Sequence, residues 1–145
     1  MRIQKGARIS VGAYLAPYGG RIEIGDNAFI GPYATLYGHG GLTIGNDVLI
    51  AGHVTIIPAQ HRFRSIDLPI REQGEDAAGI RISDDVWIGT GARILDGITI
   101  GQGVVIAAGA VVTSSLPDYS IAAGVPARVI KSRQSGKVAD ISVDR

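Results

Sequence analysis

The sequence predicts an all-β protein, a parallel β-helix of about five three-sided coils with one long inserted loop. Aliphatic residues recur at every sixth position over most of the chain, and Gly, Asn and Asp recur at fixed offsets from them. A six-residue repeat of β-branched and turn residues is typical of short strands that stack into a β-helix. The repeat is broken once, from Pro58 to Arg81, which predicts the inserted loop.

The repeat divides into five triplets, and each triplet predicts one coil. All fifteen repeat positions are Ile, Leu or Val: Ile3, Ile9 and Leu15; Ile24, Ile30 and Leu36; Ile44, Ile50 and Ile56; Ile82, Ile88 and Ile94; and Ile100, Ile106 and Val112. Because stacked strands lie about 4.8 Å apart, these side chains should form ladders along a prism roughly 20 Å tall. A β-sandwich of short strands is the alternative, but sandwich strands do not keep a period of six over so many repeats.

The spacing between triplets predicts where the chain leaves the regular path. Three steps exceed six residues: nine from Leu15 to Ile24, eight from Leu36 to Ile44 and twenty-six from Ile56 to Ile82. We therefore expect a β-helix over residues 1–120, with an inserted active-site loop over 58–81. Residues 121–145 would form a C-terminal segment, whose polar tail either caps the helix or hangs free.

The composition argues against several classes of protein. The net charge of +1 does not favour a nucleic-acid-binding protein that relies on bulk charge. The chain has no cysteine, so it has no disulfide, no thiol nucleophile and no cysteine-based zinc site. Neither an apolar signal core nor an apolar run long enough to span a bilayer is present, so we expect a cytoplasmic protein without membrane insertion.

His61 is the candidate catalytic residue. Of the three histidines, His39 lies in a glycine-rich bulge, His53 on the regular repeat and His61 just inside the break. A single histidine is more often structural than catalytic, but loops inserted into a regular scaffold commonly contain functional residues. The imidazole group can act as a general base near neutral pH. The position of His61 therefore favours a catalytic role.

Two stretches resemble the hexapeptide-repeat acyltransferases. They are AQHRFRSIDLPIREQG, which contains His61, and the run from ISDDVWIG to GVPARVIK. The similarity is greatest to sugar and polysaccharide O-acetyltransferases of the maltose, galactoside, colanic-acid and lipopolysaccharide types, and it covers roughly residues 22–131. The resemblance implies a left-handed β-helix and a homotrimer with active sites between neighbouring subunits. It also implies acetyl-CoA as the donor, with no metal required.

The resemblance further implies roles for individual residues. His61 matches the family's catalytic base, which takes the proton from a substrate hydroxyl while its oxygen attacks the thioester directly, without an acyl-enzyme. Trp87 matches a tryptophan near the acceptor, and Tyr33 or Phe29 would line the acceptor site. The positions matching the acetyl-CoA contacts are Gly89, Thr90, Ala108, Thr113, Arg128 and Lys131, of which the last two would meet phosphates.

The sequence departs from the family pattern at three places. Gly31 stands where the galactoside enzymes have an asparagine that orients the acceptor. The family's GAG triplet reads Ala107-Ala108-Gly109, and the helical N-terminal segment of the sugar enzymes is missing from these 145 residues. The acceptor pocket is therefore expected to differ from that of the galactoside enzymes.

Two other functions are compatible with the fold. The γ-class carbonic anhydrases share it and bind zinc through three histidines, but the spacing of His39, His53 and His61 does not resemble theirs. A non-catalytic assembly module is the other alternative. The retention of both His61 and the long loop favours an enzyme.

Overall fold

The protein is a parallel β-helix in the computed structural model, which describes residues 1–135. Short strands form three sheets that make the sides of a triangular prism, and the coils wind in the left-handed sense. The predicted fold class is confirmed. Within residues 1–135, no helix is long and apolar enough to cross a membrane.

Apart from a hairpin in the inserted loop and the last two strands, which both join sheet B, the strands follow one another in rotation through sheets A, B and C. Sheet A contains, in order, β1 (Arg2–Ile3), β4 (Ile22–Ile24), β7 (Leu42–Ile44), β12 (Ile80–Ile82) and β15 (Thr99–Ile100). Sheet B contains β2 (Arg8–Ile9), β5 (Phe29–Ile30), β8 (Leu49–Ile50), β13 (Trp87–Ile88), β16 (Val105–Ile106), β18 (Ser120–Gly124) and β19 (Ala127–Ser132). Sheet C contains β3 (Tyr14–Ala16), β6 (Thr35–Tyr37), β9 (Thr55–Ile56), β14 (Arg93–Ile94) and β17 (Val111–Val112).

Two further strands and two short helical turns lie outside this rotation. The strands β10 (Gln60–His61) and β11 (Glu75–Asp76) form an antiparallel hairpin within the inserted loop. Single turns of 3₁₀-helix span Ile70–Glu72 and Arg133–Ser135.

The five predicted coils are present, and a sixth begins above them. Leu116 bridges to Ile100 at the edge of sheet A, and β18 pairs in parallel with β16 in sheet B. Strand β19 then turns back antiparallel to β18 and closes this end of sheet B. Of the polar tail from Lys131 to Arg145, Lys131 and Ser132 belong to β19 and pair with β18, whereas residues 136–145 lie outside the described residues.

The predicted ladders form the core. From the second coil onward every repeat position is buried, and the register pairs each with its counterpart in the coils above and below, as in Ile24, Ile44, Ile82 and Ile100 of sheet A. At the first coil the ladder ends, and Ile3 and Ile9 remain about 40% exposed. Small buried residues such as Ala28 and Val48 fill the corners between the ladders.

The turns at the regular corners require a special backbone. The third residue after the core aliphatic residue has a positive φ, for example 56° at both Asn27 and Asp47. Asn, Asp and Gly tolerate this left-handed region best, which explains their fixed offset in the repeat. At Gly25 an added Cβ would lie 2.5 Å from the carbonyl carbon of Gly45 in the next coil, so a glycine here permits the close stacking of the coils.

All extra residues of the scaffold lie along one edge of the prism, where sheet C passes to sheet A. We call this edge the C–A corner, and name the A–B and B–C corners likewise. The A–B and B–C corners keep the six-residue step through all five coils. The C–A corner includes the turns after β3 and β6 and the inserted loop after β9. Every irregular segment between coils is thus brought to the same side of the molecule.

The buried ladder predicts that substitutions at two neighbouring positions of β7 differ sharply in their effect on the free energy of unfolding. Ile44→Ala removes a buried side chain, and we expect it to lower the free energy of unfolding by about 2–5 kcal/mol. Thr43→Ala, which truncates an outward-facing side chain of the same strand, should change it by about 0.5 kcal/mol or less. Thermal and urea unfolding followed by circular dichroism measures both. Equal losses from the two variants would contradict the inward position of Ile44.

Candidate active site

The inserted loop is an ordered structure that is held by its own polar contacts. The side chain of Gln73 accepts a hydrogen bond from the backbone N–H of Ser65 at 3.0 Å and donates to the carbonyl oxygens of Ser65 and Leu68, both at 2.9 Å. The carboxylate of Asp96, in the coil above, accepts hydrogen bonds from the backbone N–H groups of Ala78 and Gly79 at 2.8–3.1 Å. These bonds fix the end of the loop to the scaffold.

The β10–β11 hairpin places a carboxylate beside His61. His61 lies directly opposite Glu75 in the register, and its Nδ1 atom is 3.5 Å from Oε1 of Glu75. The two side chains are 62% and 40% exposed, so the contact is screened by water and weak in the free protein. A carboxylate on this side of the ring favours the tautomer with the proton on Nδ1, which leaves Nε2 as the basic nitrogen.

A second ion pair of the same hairpin joins Arg62 to Asp76. Arg62 donates from Nε to Oδ1 of Asp76 at 2.7 Å. Asp76 itself lies opposite Gln60 in the register. The arginine is thereby paired with its own carboxylate, and Glu75 remains as the acidic partner of His61.

Two cavities meet at His61. The loop-side cavity has a volume of about 720 Å³, and its lining includes Arg62, Phe63, Arg64 and Glu72 of the loop itself. The coil-side cavity has a volume of about 470 Å³ and lies against the C–A corner of the scaffold. It is lined by Tyr18, Tyr37, His39, Ile57, Ala59, Gln60, His61 and Glu75. His61 therefore lines both spaces.

An aromatic cluster from the first two coils forms one wall of the coil-side cavity. The rings of Tyr18 and His39 are stacked with centroids 4.6 Å apart, and Tyr37 meets Tyr18 edge-on at 5.0 Å. The Tyr14 and Tyr18 hydroxyls are 3.0 Å apart, and this hydrogen bond raises the pKa of Tyr18 to about 12. Its stabilising effect is present below pH 10 and is lost as the pH rises through about 12. The Tyr18 phenol therefore stays neutral throughout the physiological range.

The predicted acceptor residues lie elsewhere in the same protomer. Phe29 and Trp87 point outward from sheet B, each paired in register with Leu49 between them, and form an apolar stripe on that face. Tyr33 lies at the B–C corner, where its ring stacks on His53 with centroids 5.4 Å apart. None of the three lines a cavity that His61 borders. In a triangular prism, sheet B is the side opposite the C–A corner.

Most of the predicted donor-binding residues also lie away from His61. Gly89, Thr90 and Ala108 stack at the B–C corner, where the N–H of Gly109 donates to the carbonyl oxygen of Thr90 at 2.9 Å. Arg128 and Lys131 are exposed on β19, which extends sheet B. Thr113 alone follows sheet C, at the top of the C–A corner. One protomer thus has His61 at one corner and most of its predicted partners at another corner or on sheet B.

The glycine at position 31 follows from the packing of the coils. An added Cβ would lie 2.6 Å from the carbonyl carbon of Ala51 and 2.7 Å from the backbone nitrogen of Gly52. A side chain such as asparagine would therefore require the next coil to shift. Glycine at position 31, where the galactoside enzymes have asparagine, is therefore required by the packing of this chain's coils.

The three histidines do not converge within one protomer. His39 and His61 lie at the C–A corner, whereas His53 lies at the B–C corner against Tyr33. Among residues 1–135, no three His, Cys, Asp or Glu side chains are placed to hold a metal ion. A zinc site formed by the histidines of one protomer therefore has no donor set in this part of the chain.

Several residues of this site were not identified from the sequence. Glu75 was grouped with the other loop charges, because its pairing with His61 depends on a hairpin that the six-residue period does not encode. Tyr18, Tyr37 and His39 were also missed as a group. The available signal was their position: all three lie in the longer-than-six steps, next to the same edge as the loop.

Two family models match the chain. Residues 79–114 match the bacterial transferase hexapeptide model (six repeats), and residues 21–57 match the hexapeptide repeat of succinyl-transferase. These matches flank the inserted loop and include the second to fifth coils.

Curated relatives are similar to the chain over more residues than the two family models match. A probable acetyltransferase of Mycobacterium tuberculosis is 41% identical over 79% of this chain and 38% of the relative. The galactoside O-acetyltransferase of Escherichia coli is 37% identical over 79% of this chain and 55% of the relative. The chain thus spans about half the length of these curated relatives or less.

One similar solved structure is that of an enzyme with bound acetyl-CoA. A hexapeptide-repeat acetyltransferase of Vibrio cholerae, solved with acetyl-CoA, aligns with a TM-score of 0.74 and 32% identity over 88% of this chain and 71% of that chain. The repeat models, the sequence relatives and this alignment agree on one assignment. The chain belongs to the hexapeptide-repeat acyltransferase family.

Proposed function

We propose that the protein transfers the acetyl group of acetyl-CoA to a hydroxyl of a sugar or glycan, with His61 as the general base. The observation that supports this most is the position of the imidazole, which lies at the meeting of two cavities with Glu75 on its Nδ1 side. Among the relatives, the Escherichia coli enzyme is named for a galactoside acceptor and the Vibrio cholerae enzyme binds acetyl-CoA.

The chemistry needs one base and no covalent intermediate. Nε2 of His61 would take the proton of the acceptor hydroxyl as its oxygen attacks the thioester carbonyl carbon. The carbon–sulfur bond then breaks, and the leaving CoA sulfur takes the proton back from the imidazolium. A backbone N–H would stabilise the oxyanion that forms between these two steps. Glu75 would orient the ring and stabilise its charged form.

A complete site would require a second copy of the chain. His61 lies at the C–A corner, whereas the proposed contacts from Trp87 and Thr90 lie on sheet B and at the B–C corner. The loop exposes Phe63, Ile66, Leu68 and Ile70, with Ile66 96% exposed. Sheet B exposes Leu49 and Trp87, which continue the stripe from the half-buried Phe29. Apolar patches of this kind mark interaction surfaces. We propose that loop and stripe meet across each interface of a cyclic homotrimer.

Arg128 and Lys131 are proposed to bind the phosphates of CoA. Both are exposed cations on β19, in register with Ala123 and Ile121 of β18. A strand pair holds them in place better than a free tail would, and fixed cations suit phosphate groups.

The test of the base is His61→Ala. General-base catalysis is typically worth about 10² to 10⁴ in rate, so we expect the turnover number to fall by a factor in that range. The thermal midpoint should stay near the parent's, because the side chain is exposed and outside the ladders. Thiol release from acetyl-CoA with a panel of sugar acceptors measures the rate. Gln102→Ala, which truncates an exposed side chain at the A–B corner, is the control.

Glu75→Gln tests the positioning of His61. An exposed pair contributes about 0–1 kcal/mol, so we expect the turnover number to fall up to about fivefold while KM for acetyl-CoA is unchanged. Asp76→Asn, next to it in β11, breaks the pair with Arg62 instead and should affect turnover less. Activity in His61→Ala close to that of the parent would remove both residues from the mechanism.

The trimer predicts a mass of about three times the 15.1 kDa chain in analytical ultracentrifugation. Leu49→Glu places a charge in the apolar stripe and should shift the protein towards monomer, because an unpaired charge is costly to bury. Thr43→Glu, at an equivalent height on the polar sheet A, should remain trimeric. A monomeric parent protein at micromolar concentration would exclude a site shared between copies.

Removing either basic residue of β19 should weaken donor binding. A charge-assisted contact is worth about 1.5–3 kcal/mol, so Arg128→Ala or Lys131→Ala should raise KM for acetyl-CoA roughly tenfold to a hundredfold. Added salt should weaken donor binding in the parent more than in the variants. Unchanged donor binding in the double variant would show that β19 does not contact CoA.

A further inference from the structure

We infer that the coil-side cavity is the acceptor subsite, and that it takes an uncharged pyranose whose apolar face packs against Tyr18 and Tyr37. The inference rests on the proposed acetyl transfer, and adds the location of the acceptor and its chemical class. The cavity contacts His61 on its scaffold side, and its volume of about 470 Å³ suits one or two sugar rings.

The walls of the cavity match the two faces of a sugar ring. Tyr18, Tyr37 and the stacked ring of His39 provide an aromatic wall, and Ile57 and Ala59 continue it as an aliphatic surface. A pyranose has an apolar face of C–H groups and a rim of hydroxyls, and aromatic side chains suit such a face. The lining also includes the polar groups Gln60, His61 and Glu75.

The cluster also contains an unsatisfied polar atom. Nδ1 of His39 is buried and has no hydrogen-bond partner among the described residues. Buried polar groups are nearly always paired, so this atom is an exception. It is not accessible from the cavity, however, so the inference depends on the aromatic wall and the charges of the lining.

The charges of the cavity exclude anionic acceptors. Among the described residues that line it there is no Lys or Arg, and its one ionised carboxylate is that of Glu75. Phosphates and carboxylates are normally bound by cations or by aimed backbone N–H groups. The loop-side cavity differs, since Arg62 and Arg64 line it. A nucleotide sugar, a sugar phosphate or a uronic acid is therefore a poor fit on the coil side.

Two lines of experiment test this inference. The first compares three compounds in thiol release from acetyl-CoA: a methyl glycopyranoside, its uronide, in which a carboxylate replaces the CH₂OH group at C6, and the uncharged 6-deoxy glycoside, which controls for loss of the C6 hydroxyl. We expect kcat/KM to favour the neutral glycoside by at least tenfold. The ratio should shrink in Glu75→Gln even if that variant is slower with both compounds, because a general loss of activity cancels in the ratio.

The second line removes the aromatic wall. Tyr18→Ala and Tyr37→Leu should each raise KM for the glycoside about three- to tenfold, with KM for acetyl-CoA unchanged. Tyr119→Leu, a tyrosine at the A–B corner, is the control and should change neither. Unchanged acceptor KM in both variants, with active parent protein, would overturn the subsite and leave the acetyl transfer intact.

Binding provides a readout that does not depend on turnover. Saturation-transfer NMR on the parent protein should show the glycoside's C–H protons receiving magnetisation, and the signal should weaken in Tyr37→Leu and Tyr18→Ala. This measurement also decides the question if one variant fails to fold or if no acceptor turns over. Stronger binding of the uronide or of a nucleotide sugar than of the neutral glycoside would contradict the proposed class.

Discussion

The structure depends on how closely one coil approaches the next. At Gly25, Gly31 and Gly45 the next coil's backbone lies where a side chain would begin, so the chain can pass these points only with glycine. This spacing brings the aliphatic residues of successive coils into register and excludes water from the axis. Positive φ angles then turn the chain sharply at each regular corner. Together these constraints leave the A–B and B–C corners no room for extra residues.

The candidate site is a consequence of that rigidity. Because two corners are fixed, the chain departs from the repeat only at the C–A corner. Tyr18, Tyr37, His39 and the inserted loop therefore all lie along this corner. The loop in turn is tied to the scaffold through Asp96 and internally through Gln73. A rigid frame and an anchored loop can hold His61 at a reproducible position, as general-base chemistry requires.

The fold was predictable from the sequence to a greater extent than the site. The period of six identified the ladders, the coils and the loop, because an aliphatic residue at every sixth position indicates which side chains are buried. Glu75 and the aromatic cluster were not predictable in the same way. Their proximity to His61 depends on the antiparallel hairpin and on the stacking of turns from different coils, and neither has a short-range pattern. The register of Trp87 with Leu49, by contrast, follows from the repeat.

Because irregular segments are confined to one edge, such a protein can diversify at that edge while its core stays the same. A change in the length of the segment between β9 and β12 leaves the ladder residues on either side, Ile56 and Ile82, in the same register with their neighbours. New acceptor-facing surfaces can thus arise by insertion or deletion at that edge without repacking the axis. The β-helix separates the residues that determine folding from those that determine what is recognised. Chimeras that exchange only this edge between relatives should keep the same frame.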